Sequence, residues 1–489
     1  MIAATFSLCS NRRVARTGPA GSSLLFNLSR AERITSFDLV VAGRLALPNA
    51  APAPGELGIR DGRIAAIGAP GSLAGHLRLD AGAGLVLPGV VDAHVHTRSE
   101  PGEGVARATT AAAAGGVTTV VDMPYDDPTP VTTAAAFSRK VADVEREAVT
   151  DVALWATIAR SGGLDAVEPL VAAGACGFKV STFETHPIRF PRIPDGELYL
   201  AMHRVRDAGS LIAFHAENDE VVRRLTQDLE AQGRSDPAAH ADSRPPVSET
   251  EAIGRALEFA LATGARVHIV HATTGRSFTL VERARDDGVD ASAETCLHYL
   301  LLDEAELRRQ GARAKINPPL RSAQEVERLW DLLRMGRIDF ITTDHVGWSR
   351  DRKAAGSIFD ARSGVPGLEL FLPLLFDEAV RRRRLPTSLL VRMLCENPAR
   401  RLGLWPRKGG LCIGADADLV VFDAERPWRV DEARLVTPCG WSPYHGRQVV
   451  GAVETVLVRG REVFARGEVV GRPGQGCWVR AQHDSRQGG

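Results

Sequence analysis

The sequence predicts an α/β protein: a TIM-like (β/α)8 barrel carrying a small β-sandwich domain built from both terminal segments. Three observations predict it. Short apolar runs alternate with Ala/Arg/Glu-rich stretches between residues 89 and 409. Two β-rich segments, 37–88 and 410–470, lie at opposite ends of the chain. The residues best suited to chemistry fall at the ends of the apolar runs, where a parallel barrel has its catalytic face.

The elements follow in order. Residues 1–36 differ in composition from the rest and read as a disordered extension or an over-long start. FDLVVAG, GELGIRDGRIAAIG and LRLDAGAGLVLPG read as strands separated by Gly/Pro and Asp-Gly turns. GVTTVVDM, VALWATIA, GFKVS, LIAFHAE, RVHIVHA, DASAETC and DFITTDH read as short buried strands. AAAFSRKVADVEREA and AQEVERLWDLLRMG have helical character, and strand–helix alternation on this scale argues a parallel barrel. ADADLVVFDAE and VETVLVRGREVFARGEVV complete the sandwich, and 471–489 reads as a flexible tail.

Composition narrows the function classes. Sixty Lys and Arg balance sixty Asp and Glu, so net charge calls for neither nucleic acid nor an anionic membrane as partner. The run Arg381–Arg384 reads as the solvated face of a helix. No apolar run approaches the ~18 residues of a membrane span. Seven cysteines without CxxC pairing fit a reducing cytoplasm, with Cys176, Cys296 and Cys395 as small core residues. Arg12, Arg13 and Arg16 precede no apolar region with a small-residue cleavage site, so no secretory leader is expected.

His94 and His96 form an HxH pair, and residues two apart on a strand point the same way. Lys179, His215, His271 and Asp344 end four further strand candidates. A closed barrel would gather all six at its mouth. Four imidazoles and a carboxylate are a donor set for zinc-like ions. His268, His298 and His345 lie close enough in sequence to compete for the same roles.

The segments DAHVH (92–96), GVTTVVDMP (116–124), GFK (177–179), HAEN (215–218), HIVH (268–271), ETCLHYL (294–300), NPPLR (317–321), TTDH (342–345), ENPAR (396–400) and GADADLVVFD (414–423) jointly resemble the cyclic amidohydrolases. That group includes allantoinase, hydantoinase (dihydropyrimidinase) and dihydroorotase, and the resemblance spans Phe37 to Arg466. It implies the barrel of the amidohydrolase superfamily and two divalent metal ions, expected to be zinc. His94, His96 and Asp344 would hold the more buried ion, His215 and His271 the second, and a CO2-derived carbamate on Lys179 would bridge them. An ammonium cannot ligate a cation, whereas a carbamate is an anionic, carboxylate-like bridge. The resemblance further implies that the metals make water nucleophilic near neutral pH, and that Asp344 carries its proton to the departing ring nitrogen. Dimers or tetramers are common among such homologues.

The ring itself is read from fewer residues. Glu184 stands where hydantoinases usually carry a tyrosine, five residues after the lysine. Arg98 and the NPPLR segment resemble dihydroorotase, but Tyr125-Asp126-Asp127 replaces its usual asparagine. ETCLHYL resembles allantoinase, although Thr97-Arg98 replaces the usual Phe-Asn. The expected substrate is a small cyclic amide or ureide, with an allantoinase-like reaction leading and hydantoin, cyclic imide and dihydroorotate as alternatives. Arg98, Asn317, Gly364 and Pro366 are its expected contacts. A non-catalytic scaffold relative would show broken ligand positions, and here all six are intact.

Overall fold

The computed structural model describes residues 36–482; the expectation for the N-terminal extension and for the last seven residues lies outside them. The chain begins with β1 (Phe37–Leu45), β2 (Ala53–Arg60), β3 (Arg63–Gly68) and β4 (Gly75–Pro88). Eight short strands follow: β5 (Val90–Val95), β6 (Val117–Asp122), β7 (Asp151–Leu154), β8 (Phe178–Ser181), β9 (Leu211–His215), β10 (Arg266–Ile269), β11 (Ala291–Cys296) and β12 (Phe340–Thr342). The last four are β13 (Leu419–Arg429), β14 (Gln448–Val458), β15 (Arg461–Ala465) and β16 (Glu468–Val469).

Strands β5–β12 pair in parallel as a three-stranded and a five-stranded sheet. Two seams close them into a barrel. Lys179 N donates to Ala156 O at 2.8 Å beside β7, and His96 N donates to His345 O at 2.9 Å between the ends of β5 and β12. Nearly every residue of these strands is buried. Helices cover the outside and side chains fill the inside, so the strands read as continuous apolar runs without alternation.

The covering helices carry their own start signals. Thr133 accepts a hydrogen bond from Ala136 N to open helix Ala134–Glu147, which buries Ala136, Phe137, Lys140 and Val144 at helical spacing. Ser322 caps Ala323–Arg334 in the same way, and that helix buries Leu329, Trp330, Leu332 and Leu333. Arg381, Arg382 and Arg383 pair with Glu425, the buried Asp377 and Glu327.

The terminal segments build one small β domain, as expected, and its strands join in a single hydrogen-bonded sheet of order β16-β15-β14-β13-β4-β1-β2-β3. The sheet curls until Ile64 N of β3 donates to Ala415 O just ahead of β13. Val41, Leu57, Ile59, Ile64, Val86, Leu419 and Leu457 fill its interior.

Residues 471–482, expected as a flexible tail, are packed. Val152 N donates to Cys477 O, Val479 N to Val152 O and Gln482 N to Gly403 O, at 2.8–2.9 Å, with Val479 and Ala481 buried. The stretch uses backbone groups of β7 and an apolar seat that local composition does not reveal. Nearby, the Lys408 ammonium lies 2.5, 2.9 and 2.8 Å from Asp151, Asp416 and Asp418, and Arg459 also pairs with Asp151. Three buried carboxylates that could have held a metal ion thus enclose a lysine.

Candidate metal centre

All six expected ligands meet at one end of the barrel. His94 lies on β5 and His96 just beyond it, Lys179 is on β8, and His215 ends β9. His271 and Asp344 follow β10 and β12 by two residues, with left-handed backbones at φ 42° and 45°. That conformation costs an L-residue of order 1–3 kcal/mol, and such strain gathers at functional sites.

Asp344 Oδ1 lies 3.1 Å from His94 Nε2 and 3.3 Å from His96 Nε2. His215 Nδ1 and His271 Nε2 are 2.9 Å apart. Acidic residues behind the ligands fix which nitrogen faces inward. His94 Nδ1 meets Glu294 Oε1 at 2.6 Å, and His215 Nε2 meets Glu217 Oε2 at 2.8 Å. Arg244 in turn holds Glu217 at 2.6 Å. Beneath Asp344, Thr343 donates through Oγ1 and N to Asp92, tying β12 to β5.

The electrostatics favour neutral His96, His215 and His271 and an ionised Asp344. Burial pushes His96 down to about 4 and His271 well below its ordinary value. Burial opposes charge on His94 too, but Asp344 and Glu294 hold it above its usual value. Burial disfavours the Asp344 carboxylate as well, yet His94 and His96 keep its pKa well below the usual range. Burial also brings the Lys179 amine down to about 8.

The donor set fits metal ions. His94 Nε2 is buried, lies beside Asp344 and makes no hydrogen bond. With His215 Nε2 engaged by Glu217, its Nδ1 presents a lone pair to His271 Nε2, while His271 Nδ1 is buried without a partner. Whichever tautomer His271 adopts, one of its buried ring nitrogens is left unsatisfied, an unfavourable arrangement that a bound cation would relieve.

A cavity of about 90 Å³ opens over these groups; its lining includes Tyr125, Arg189, Phe190, Asn317, Trp348 and Gly364. Asn317 accepts from Ser363 Oγ at 3.0 Å. Gly364 has φ +116°, and a Cβ there would meet Val346 at 2.9 Å. Two expected contacts are not in the lining. Arg98 turns away to Asp143 at 2.8 Å and Glu147 at 3.8 Å, carboxylates one turn apart on the helix after β6. Pro366 is buried and does not line the cavity.

Of the competing histidines, His268 and His345 have other partners, while both ring nitrogens of His298 are buried without a hydrogen bond among the described residues. His268 bridges Ser292 and the second oxygen of Glu294, His345 pairs with Glu103 at 2.6 Å, and His298 is buried outside the lining. Sequence reasoning missed Glu217, Glu294, Asp92, Arg189 and Phe190. Glu217, Glu294 and Asp92 lay within recognised motifs, two residues after His215 and at the heads of ETCLHYL and DAHVH, whereas nothing local marked Arg189 and Phe190. Glu184 instead pairs with Arg160, and the cavity's tyrosine is Tyr125, whose hydroxyl donates to Lys179 O at 3.0 Å.

A (β/α)8 barrel with imidazoles, a carboxylate and a lysine at the strand ends is the architecture of a metal-dependent hydrolase. The amidohydrolase family pattern matches residues 85–463, and the chain belongs to that family. It is 39% identical over 457 residues to the allantoinase of Rubrobacter xylanophilus, covering 92% of this chain and 99% of the relative. It is 34% identical over 451 residues to the L-hydantoinase of Paenarthrobacter aurescens, covering 91% and 98%. The solved L-hydantoinase (dihydropyrimidinase) from Arthrobacter aurescens superposes with a TM-score of 0.88 at 34% identity, over 91% of this chain and 100% of that one.

Proposed function

We propose that this amidohydrolase opens a cyclic ureide by hydrolysing a ring amide C–N bond, with allantoin as substrate and allantoate as product. The observation that carries the reading is the convergence of His94, His96 and Asp344 with His215, His271 and Lys179 on one cavity. Its relatives named allantoinase support the ring, and allantoin is itself a hydantoin bearing a ureido group, in keeping with its hydantoinase neighbours.

His94, His96 and Asp344 would hold one divalent ion and His215 and His271 a second, with zinc the expected metal. When bound, such ions supply nucleophilic water at neutral pH and polarise the ring carbonyl. The chain prepares the rest. Burial leaves much of the Lys179 amine neutral near pH 8, so its nitrogen can bond to the carbon of CO2, lose a proton and become the anionic carbamate bridge. Glu294 and Glu217 orient His94 and His215. Asp344, kept ionised, takes a proton from the attacking water and delivers it to the ring nitrogen as the C–N bond breaks.

Among the described residues no helix is long and apolar enough to cross a membrane, and the six described cysteines are free. A cytoplasmic homo-oligomer, dimer or tetramer, is the setting the family resemblance implies.

The test is protein purified with zinc and bicarbonate and offered allantoin, hydantoin, dihydrouracil, dihydroorotate and succinimide side by side. Ring opening of allantoin in preference to the others is the expected result. Preference for another ring would overturn the substrate, and absence of any bound metal would overturn the mechanism.

A further inference from the structure

Arg189 carries a formal charge over the cavity, and the other charged lining residues, Lys179 and Asp344, belong to the metal centre. A tight turn aims it there. His186 and Phe190 exchange backbone hydrogen bonds at 3.1 Å, and His186 Nδ1 accepts from the backbone N of Ile188 and of Arg189. Phe190 stacks on Tyr125 with ring centroids 3.6 Å apart and meets His215 edge-on at 5.4 Å, forming an aromatic wall beside the second histidine pair.

The guanidinium is only partly engaged. Its Nη1 donates to Ser99 O at 3.3 Å and stands 3.6 Å from Asp127 Oδ2, beyond hydrogen-bond reach. Nε and Nη2 donate to no acceptor among the described residues, although the side chain is only 13% exposed. Arg352 and Arg362 lie near enough to add to the positive potential. Asn317 and Ser363, also in the lining, hydrogen-bond to each other, and Trp348 Nε1 donates to Ser363 O. The free fork is a planar donor pair suited to an oxygen on the substrate.

We propose that Arg189 is a specificity-determining residue that binds the exocyclic oxygen of a ring substituent, the carbonyl of a ureido group or a carboxylate. The inference rests on the cyclic-ureide reading above and names the part of that substrate the protein recognises. Arg189 touches the substituent, and the ring opens at the metal-ligand side of the cavity.

The experiment compares wild type, Arg189→Ala and Arg189→Lys on four hydantoin rings: allantoin, hydantoin-5-acetate, 5-methylhydantoin and unsubstituted hydantoin. Arg189→Ala should raise KM for allantoin by ~10-fold or more, as expected for losing a hydrogen bond to a charged group. Its kcat/KM for hydantoin and 5-methylhydantoin should stay within about twofold. Recovery by Arg189→Lys on hydantoin-5-acetate alone marks carboxylate as the preferred group; no recovery on either polar ring marks the ureido carbonyl, which needs the planar fork. Equal losses on all four rings, or no loss on allantoin, would overturn the proposal. Calorimetric binding of the opened products, allantoate and N-carbamoylglycine, gives a readout independent of turnover. If wild type opens no ring yet loses preference for allantoate in Arg189→Ala, the reaction assignment fails while the role of Arg189 stands. Equal affinity of both proteins for both products would remove that role.

Discussion

Glu294 Oε1 lies 2.6 Å from His94 Nδ1, and this contact turns His94 Nε2 toward Asp344. The same carboxylate meets His268 through its other oxygen at 3.2 Å. Burial works against ionisation of Glu294, but His94 and His268 outweigh it and bring its pKa down to about 2. Glu294→Gln should therefore weaken metal retention by about 10–100-fold while the fold persists, as partners behind metal-bound histidines generally do. Competition with a calibrated chelator measures it; unchanged affinity would sever the link between this contact and the metal centre.

In the proposed reaction Asp344 would combine a ligand role with proton transfer. Asp344→Asn keeps the shape and removes the basic oxygen, so kcat should fall by ~10²–10⁴-fold or more. Circular dichroism and thermal midpoint should stay near wild type. A variant that keeps a tenth of wild-type turnover would assign the proton to another group.

Lys179 has no carboxylate within ion-pair distance among the described residues, although it is 1% exposed. Lys179→Ala should be inactive, and added short carboxylic acids should restore part of the activity by occupying the carbamate's place. Isotopically labelled bicarbonate should give a carbamate carbon signal in wild type. Full activity of wild type purified and assayed without CO2, with no labelled carbamate, would discard the bridge.

Lys408 neutralises Asp151, Asp416 and Asp418 where barrel, terminal sheet and C-terminal stretch meet. Lys408→Met should destabilise the protein by about 3–5 kcal/mol, the usual cost of removing one partner from a buried charge cluster. Burial disfavours the Asp151 carboxylate, but Lys408 and Arg459 hold its pKa below the ordinary value. Its contribution is thus present above the unfolded pKa of ~3.9 and lost as pH falls through the folded value. Burial raises Asp418, which acts with the opposite sign and blunts the loss. Urea midpoints at pH 7 and pH 3.5 test this: the gap between wild type and variant should narrow in acid. A gap that widens would contradict the assigned signs.

Much of the site was legible because metal binding fixes residue type. His94, His96, Lys179, His215, His271 and Asp344 were visible at strand ends, where a parallel barrel places its chemistry. Contacts with substrate were far less legible. Arg98 had a suitable place in sequence, yet two carboxylates on an adjacent helix capture it. Arg189 occupies the cavity from a turn with no repeating pattern to announce it.

The sequence alone determined the alternation of buried strands and covering helices, the joining of both ends in β-structure, and which residues are proposed as metal donors. Each follows from local properties: apolar patterning, turn residues and the chemistry of imidazole and carboxylate. Tertiary structure decided that the terminal strands form one curled sheet, that residues 471–482 pack beside β7, and that Lys408 fills the acidic cluster. It also decided which arginine faces the cavity. Those outcomes depend largely on partners distant in the chain, such as Asp143 for Arg98 and Asp151 for Cys477, 45 and 326 residues away, and only closure of the barrel brings those partners within reach.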